Sequence, residues 1–172
     1  MQVQYDLRAD RILWQVRTRT GEMFAVWLTR RMVTRFWPPF ERLVSTSDIA
    51  TQVDPRATVV PEAQEMLARA ARERPLQQAN FDTPFDPRPT ARPLGQEPLL
   101  PIQIDLGSGS DAKGVSIRIS EGEAGRSLEL RLGGDLSTAL LRLMEKAIEA
   151  SDWGVATARP NAGAVARPAT LN

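Results

Sequence analysis

The same succession of hydrophobic patterns occurs twice in this sequence, and the repetition constrains the fold more than any other feature. Three short segments of alternating apolar and polar residues precede one segment with apolar residues at helical spacing, within residues 1–45 and again within residues 99–153. Alternation with a period of two predicts strands, and a period near 3.6 predicts an amphipathic helix. The sequence therefore predicts two units of the order strand, strand, strand, helix.

In the first unit, the predicted first strand is 3–7, and Thr29 is the predicted N-cap of the helix, because its hydroxyl can accept a hydrogen bond from a first-turn amide. The apolar strand faces are formed by Val3, Tyr5 and Leu7, by Ile12, Trp14 and Val16, and by Phe24, Val26 and Leu28. The helical stripe contains Met32, Val33, Phe36, Trp37, Phe40 and Leu43.

The second unit can be aligned with the first. Residues 102–106 match residues 3–7, including a shared Gln and Asp, and a constant offset of 104 relates the third strand and helix of the two units. One such unit makes a very small core alone, so the two units should pack together. We predict an α+β fold in which two antiparallel, pseudo-repeated β-β-β-α units are related by a pseudo-twofold axis, with the helices covering the sheets.

Residues 46–98 form a predicted linker, because they hold eight of the 13 prolines. One extra helix is predicted near 61–74, which is rich in good helix formers. Phe81 and Phe85 lie in an extended, Pro-rich stretch after it, and they can dock on the chain's own domain, which loop length favours, or on a partner. Residues 154–172 are predicted to be a disordered tail.

Composition narrows the possible functions. The net charge is +1, so no global field draws the chain to nucleic acid or a membrane surface. The chain has no Cys and no His, which removes thiolate nucleophiles, imidazole bases and the usual zinc ligands. We therefore expect no enzyme, no cofactor and no metal, although a carboxylate-dependent enzyme stays a weaker alternative. The absence of an apolar leader or span predicts a cytoplasmic protein.

The outward face of the first unit is the strongest candidate binding surface. On it, Gln15, Arg17 and Arg19 should neighbour Ala25 and Trp27. Tryptophan and arginine on a sheet can stack bases and hold phosphates. Residues 1–45 carry a net charge of +4 and residues 99–153 carry −3, which makes the first unit the candidate binder. An outer tryptophan is also commonly buried against another subunit or against a linker.

The first helix contains two further candidates for partner binding. Arg30 and Arg31 oppose the helix dipole, which favours an acidic partner, although two solvated arginines are the simpler interpretation. The Trp37-Pro38-Pro39-Phe40 stretch predicts a kink or break. Such a bend either wraps the helix around the sheet or presents Trp37 at a rigid corner. Residues 107–110, Gly-Ser-Gly-Ser, are predicted to form a flexible hairpin loop, since they lack the lysine of a phosphate-binding loop.

The predicted order of elements resembles, in architecture alone, the tandem strand-and-helix repeats of single-strand nucleic-acid binders such as the Whirly and Pur-alpha families. Those families mostly use four strands per unit, where three are predicted here. Two hypotheses follow. The first is a non-catalytic binding or assembly protein that contacts another protein and can also oligomerise. The second is a single-stranded nucleic-acid binder that uses Gln15, Arg17, Arg19 and Trp27.

Overall fold

The computed structural model describes residues 1–50, 88–109 and 114–157, and there the chain forms six strands and two helices. The elements are β1 (Gln2–Asp6), β2 (Arg11–Arg17), β3 (Met23–Thr29), α1 (Arg30–Ala50), β4 (Gln103–Ser108), β5 (Val115–Ser120), β6 (Ser127–Leu132) and α2 (Gly134–Ser151). The order β-β-β-α therefore occurs twice, which confirms the predicted α+β class. The predicted helix near 61–74 and residues 158–172 of the predicted tail lie outside the described residues.

Each unit contains a three-stranded antiparallel meander, in the order β1-β2-β3 and β4-β5-β6. The central strand of each meander carries the most deeply buried residues, since Ile12, Trp14, Ile117 and Ile119 are at most 1% exposed. In the first sheet, Trp14 lies between Val3 and Val26. Alternate residues therefore face the interior, as the period-two pattern predicts.

The pairing register corrects the alignment of the two first strands. Val3 lies opposite Trp14, and Leu106 lies opposite Ile117, which is the position equivalent to Trp14. Leu106 therefore corresponds to Val3, and the match of residues 102–106 to residues 3–7 is wrong by four residues. A shift by an even number of residues leaves the apolar face unchanged, so alternation alone does not fix the register.

One hydrophobic interior is shared by both units. Helix α2 packs along β1 and also contacts β2 and β6, whereas α1 contacts β3, β4 and α2. Each helix therefore contacts both sheets. The shared cluster includes Trp14, Trp37 and Phe40 from the first unit and Ile117, Leu140 and Met144 from the second.

Helix α1 begins as predicted, because the Thr29 hydroxyl accepts a hydrogen bond from the Met32 amide over 3.3 Å. It continues to Ala50, beyond the predicted end of the first unit at residue 45. The prolines do not break it, so of the predicted kink or break, the break is wrong. Pro38 and Pro39 are exposed, so their rings lie on the solvent side of the helix. The opposite side of the helix packs inward.

The end of the predicted linker pairs with the first sheet. The Ala91 carbonyl accepts from the Met23 amide over 2.9 Å, and Leu99 exchanges two main-chain hydrogen bonds of 2.8 Å with Ala25 and Trp27. These bridges are parallel to β3. Residues 91–99 therefore cover the outer edge of β3, and the Leu99 side chain is fully buried.

The loop between β4 and β5 begins later in the sequence than predicted. Gly107 and Ser108 belong to β4, and the Gly109 amide donates to the Gly114 carbonyl over 2.7 Å. Only the second half of the predicted Gly-Ser-Gly-Ser loop therefore lies beyond the strand. A side chain at Gly107 would approach the Ser116 hydroxyl to 2.7 Å, which explains a glycine within this strand.

Candidate functional site

A groove of about 420 Å³ lies between helix α1 and strand β4. One wall is formed by α1 and the other by consecutive residues of β4 and the residue before it. The lining residues are Met32, Arg35, Phe36 and Pro39 on the helix and Ile102, Gln103, Ile104, Asp105 and Leu106 on the strand side. We refer to this surface as the α1–β4 groove.

The strand wall of the groove is a strand edge. Successive side chains of a strand point to opposite faces of the sheet, so a cavity that touches five consecutive residues must run along the edge and face the main chain. Within the described part of the chain, β4 pairs only with β5. The other edge of β4 therefore presents main-chain amide and carbonyl groups that a further strand can bond.

The helix wall is mainly apolar and also contains a polar main-chain group. Met32, Phe36 and Pro39 follow helical spacing and face the groove. Pro39 has no amide hydrogen, so it cannot donate to the Arg35 carbonyl one turn earlier. The groove can therefore hold apolar side chains and also accept a main-chain hydrogen bond.

The β4 wall combines exposed apolar residues with a polar pair. Ile102 is 71% exposed, which is unusual for an isoleucine next to a strand. The Gln103 side-chain amide donates to both carboxylate oxygens of Asp105, over 3.0 and 2.9 Å. Ile104 and Leu106 are half-buried on the opposite face. An extended peptide that binds along this edge could therefore form main-chain hydrogen bonds with β4. Its side chains would meet apolar residues on one face of the sheet and polar residues on the other.

Sequence reasoning missed this groove. The residues of its strand wall were identified only as a predicted strand, and nothing local marks which edge of a sheet is left open. The one signal available was the Pro38-Pro39 pair, which removes helical hydrogen bonds beside the groove.

The structure brings part of the predicted binding surface together. Gln15 and Arg17 of β2 share the outer face of the first sheet with Trp27, and all three are half-buried. Gln15 lies opposite Ala25, and Trp27 lies opposite Leu13. Arg19 lies outside the sheet, in the exposed turn after β2.

The other predicted contact residues are scattered. Arg30 and Arg31 are exposed at the start of α1. Trp37 is fully buried in the shared interior, so it is not at a corner open to a partner; its position one helical turn after Val33 places it on the inward face. Phe81 and Phe85 lie outside the described residues.

Two carboxylates with shifted pKa values connect separate parts of the fold, and neither is among the residues that line the groove. Hydrogen bonds from the Arg126 side chain and the Leu100 amide lower the pKa of Glu121 to about 2. Arg126 also donates to the carbonyls of Leu94 and Glu97, over 2.7 and 2.8 Å. The pair therefore attaches the segment beside β3 to the second sheet.

Asp10 makes the equivalent connection for the C-terminal end of α2. The Trp153 indole and the Tyr5 hydroxyl donate to the same Asp10 oxygen, over 2.7 and 2.9 Å. Both hydrogen bonds stabilise the carboxylate and lower the pKa of Asp10. These contacts join the β1–β2 turn to the second unit.

Among the described residues, no group of three His, Cys, Asp or Glu side chains is arranged to hold a metal ion. Within the same residues, no helix has the length and apolar character needed to cross a membrane. No family model, curated protein or solved structure matches this chain.

Proposed function

We propose that this chain is a non-catalytic protein-interaction module that binds an extended protein segment along the open edge of β4. The observation that supports it most directly is the α1–β4 groove, where a strand edge with no partner among the described residues lies beside an apolar helix face. Strand addition to an exposed sheet edge is a general mode of peptide recognition. Main-chain hydrogen bonds supply affinity, and contacts of alternate side chains supply specificity.

The first unit gives an internal example of such an occupant. Residues 91–99 lie beside β3, bond its main chain at several points and bury Leu99 completely. A sheet edge of this fold therefore accepts an extended segment that carries one large apolar anchor. The groove beside β4 offers Met32 and Phe36 as the apolar surface for an anchor of the same kind.

A peptide library displayed on phage tests this proposal. We expect wild-type protein to select extended apolar sequences, and Ile102→Lys to weaken their binding at least about tenfold, or about 1.4 kcal/mol, in fluorescence anisotropy. Ile102 is 71% exposed, so this change should preserve the fold. Hydrogen exchange should show the β4 amides becoming protected when a peptide binds.

Leu7→Lys is the matched control, because Leu7 is 80% exposed and follows the first strand of the other unit. Selected peptides should bind this variant as tightly as wild type. If the protein selects no peptide at a concentration where it is monomeric, or if binding is equally sensitive to both variants, the proposed function is wrong.

Single-stranded nucleic acid is the second candidate ligand. Its supporting observation is that Gln15, Arg17 and Trp27 share the outer face of the first sheet. If this face binds, affinity for a labelled oligonucleotide should fall steeply as salt rises, and Trp27→Ala should remove a stacking contribution of about 1–3 kcal/mol. Absence of binding at low salt would exclude this candidate.

A further inference from the structure

We infer that the extended segment taken by the α1–β4 groove is strand β4 of a second copy of this chain. The inference rests on the proposed function, since it names the partner for the same strand edge. Two copies would pair their β4 edges in antiparallel orientation and form one continuous six-stranded sheet across a twofold axis.

The β4 edge has the same order of apolar and polar residues when its sequence is read in either direction. Residues 102–106 are Ile, Gln, Ile, Asp and Leu, with Ile104 at the centre. A twofold axis at Ile104 places Ile102 opposite Leu106 of the second copy and Gln103 opposite Asp105 of the second copy. Every apolar residue then meets an apolar residue, and every polar residue meets a complementary one.

Other alignments lose this complementarity. An axis at Asp105 would set two carboxylates opposite each other, and like charges directly opposite are unfavourable. A parallel arrangement would pair Gln103 with Gln103 and Asp105 with Asp105. Gln103 already donates to the Asp105 carboxylate within one strand, over 3.0 and 2.9 Å, so the same two groups can bond across the axis.

The helices are compatible with this arrangement. An axis perpendicular to the sheet keeps the inner faces of both copies on one side, so the two α1 helices would lie on that side as neighbours. Met32 and Phe36 would then contact inward-facing residues of the added strand. In the first unit, α2 packs along β1 and residues 91–99 cover the edge of β3.

A single cysteine locates the proposed axis, because the chain has none of its own. Directly opposite residues of an antiparallel pair have Cα atoms about 4.5–5.5 Å apart, within the range that a disulfide spans. Ile104→Cys should therefore form a cross-linked dimer under mild oxidation. Gln103→Cys should cross-link much less, since the same position in the second copy lies two residues further along the strand.

A charge of either sign introduced at Gln103 tests the pairing without a cross-link. Gln103→Glu sets like charges opposite each other and should weaken the dimer at least about tenfold in sedimentation equilibrium. Gln103→Lys sets opposite charges across the axis and should tighten it, and both effects should shrink as salt rises. Gln103 is exposed, so both variants should fold.

The possible outcomes separate the partner from the proposed function. A wild-type protein that stays monomeric up to about 1 mM overturns the second copy as partner, and so does a dimer that responds equally to Gln103→Glu and Gln103→Lys. If peptides still bind in an Ile102-dependent way in either case, the strand edge keeps its proposed function. If neither dimer nor peptide depends on the edge, both inferences are wrong.

Discussion

The two sheets of this molecule share one topology but differ on their outer faces. The outer face of the first sheet carries apolar residues at several positions where the second sheet carries polar ones. At matched positions, Leu13 corresponds to Ser116, Met23 to Ser127, Ala25 to Glu129 and Trp27 to Arg131. Met23 and Ala25 are buried although they are not part of the shared interior cluster, whereas Glu129 and Arg131 are exposed.

The edges of the two sheets also differ. The β3 edge of the first sheet is covered by residues 91–99, and the β4 edge of the second sheet is open within the described residues. The first unit thus combines a covered β3 edge with apolar residues at these outer positions, and the second combines a β4 edge that is open within the described residues with polar residues at the matched positions. The core positions are matched between units, so the repeated part of the molecule determines the fold, and the unmatched surfaces are where binding differs.

The strongest test of this comparison is a pair of matched core truncations. Trp14 and Ile117 occupy equivalent central-strand positions and are both buried in the shared cluster. Trp14→Ala should lower the free energy of unfolding by about 3–5 kcal/mol and Ile117→Ala by about 2–5 kcal/mol, because each leaves a cavity. Urea denaturation followed by far-UV circular dichroism measures both.

Because the interior is shared, each variant should shift one common transition. Two separate transitions, with one unit unaffected, would show that the units fold independently and would contradict a single core. A conservative control is Ile117→Val, for which a loss of about 0.5–1.5 kcal/mol is expected.

Sequence patterns predicted the repeated features and missed those that depend on long-range contacts. The order of strands and helices followed from period, and the Thr29 cap followed from local chemistry. The register of β4 did not, since a shift of four residues preserves alternation. The cover over β3 comes from a segment about 70 residues later in the chain, and no local pattern specifies that pairing.

Part of the outer surface of the first sheet was also predicted correctly as a shared face of Gln15, Arg17 and Trp27. The groove was not predicted, because its volume depends on the distance between α1 and β4, which tertiary packing determines. Trp37 was assigned both to the helical stripe and to a possible exposed corner, and burial in the shared interior resolves that ambiguity in favour of the stripe.

A second test compares two Arg–Glu pairs of the second unit. Arg126 bonds Glu121 and two carbonyls of the segment beside β3, whereas Arg131 bonds Glu129 of its own strand. Arg126→Ala should cost about 1 kcal/mol after allowance for partial exposure, and Arg131→Ala less than about 0.5 kcal/mol. Hydrogen exchange at Met23 and Trp27 should increase only in Arg126→Ala.

Acid titration provides a third test of the same attachment. The pKa of Glu121 falls from 4.5 to about 2 on folding, so its contribution to stability is present above about pH 4.5 and is lost as the pH falls towards 2. Glu121→Gln should therefore flatten the acid side of the stability profile. Glu129→Gln removes a carboxylate from the neighbouring strand as a control, and equal flattening in both variants would contradict the assignment to Glu121.

The smallest expected effects come from exchanging matched outer-face residues. Leu13 is half-buried, so Leu13→Ser should cost about 0.5–1 kcal/mol, and the reciprocal Ser116→Leu should change stability by less than about 0.5 kcal/mol. Thermal unfolding measures both. A loss of several kcal/mol for Leu13→Ser would mean that this face is an interior surface. A loss near zero for both would mean that the apolar face does not contribute to folding, which would leave ligand binding as the remaining reason for its composition.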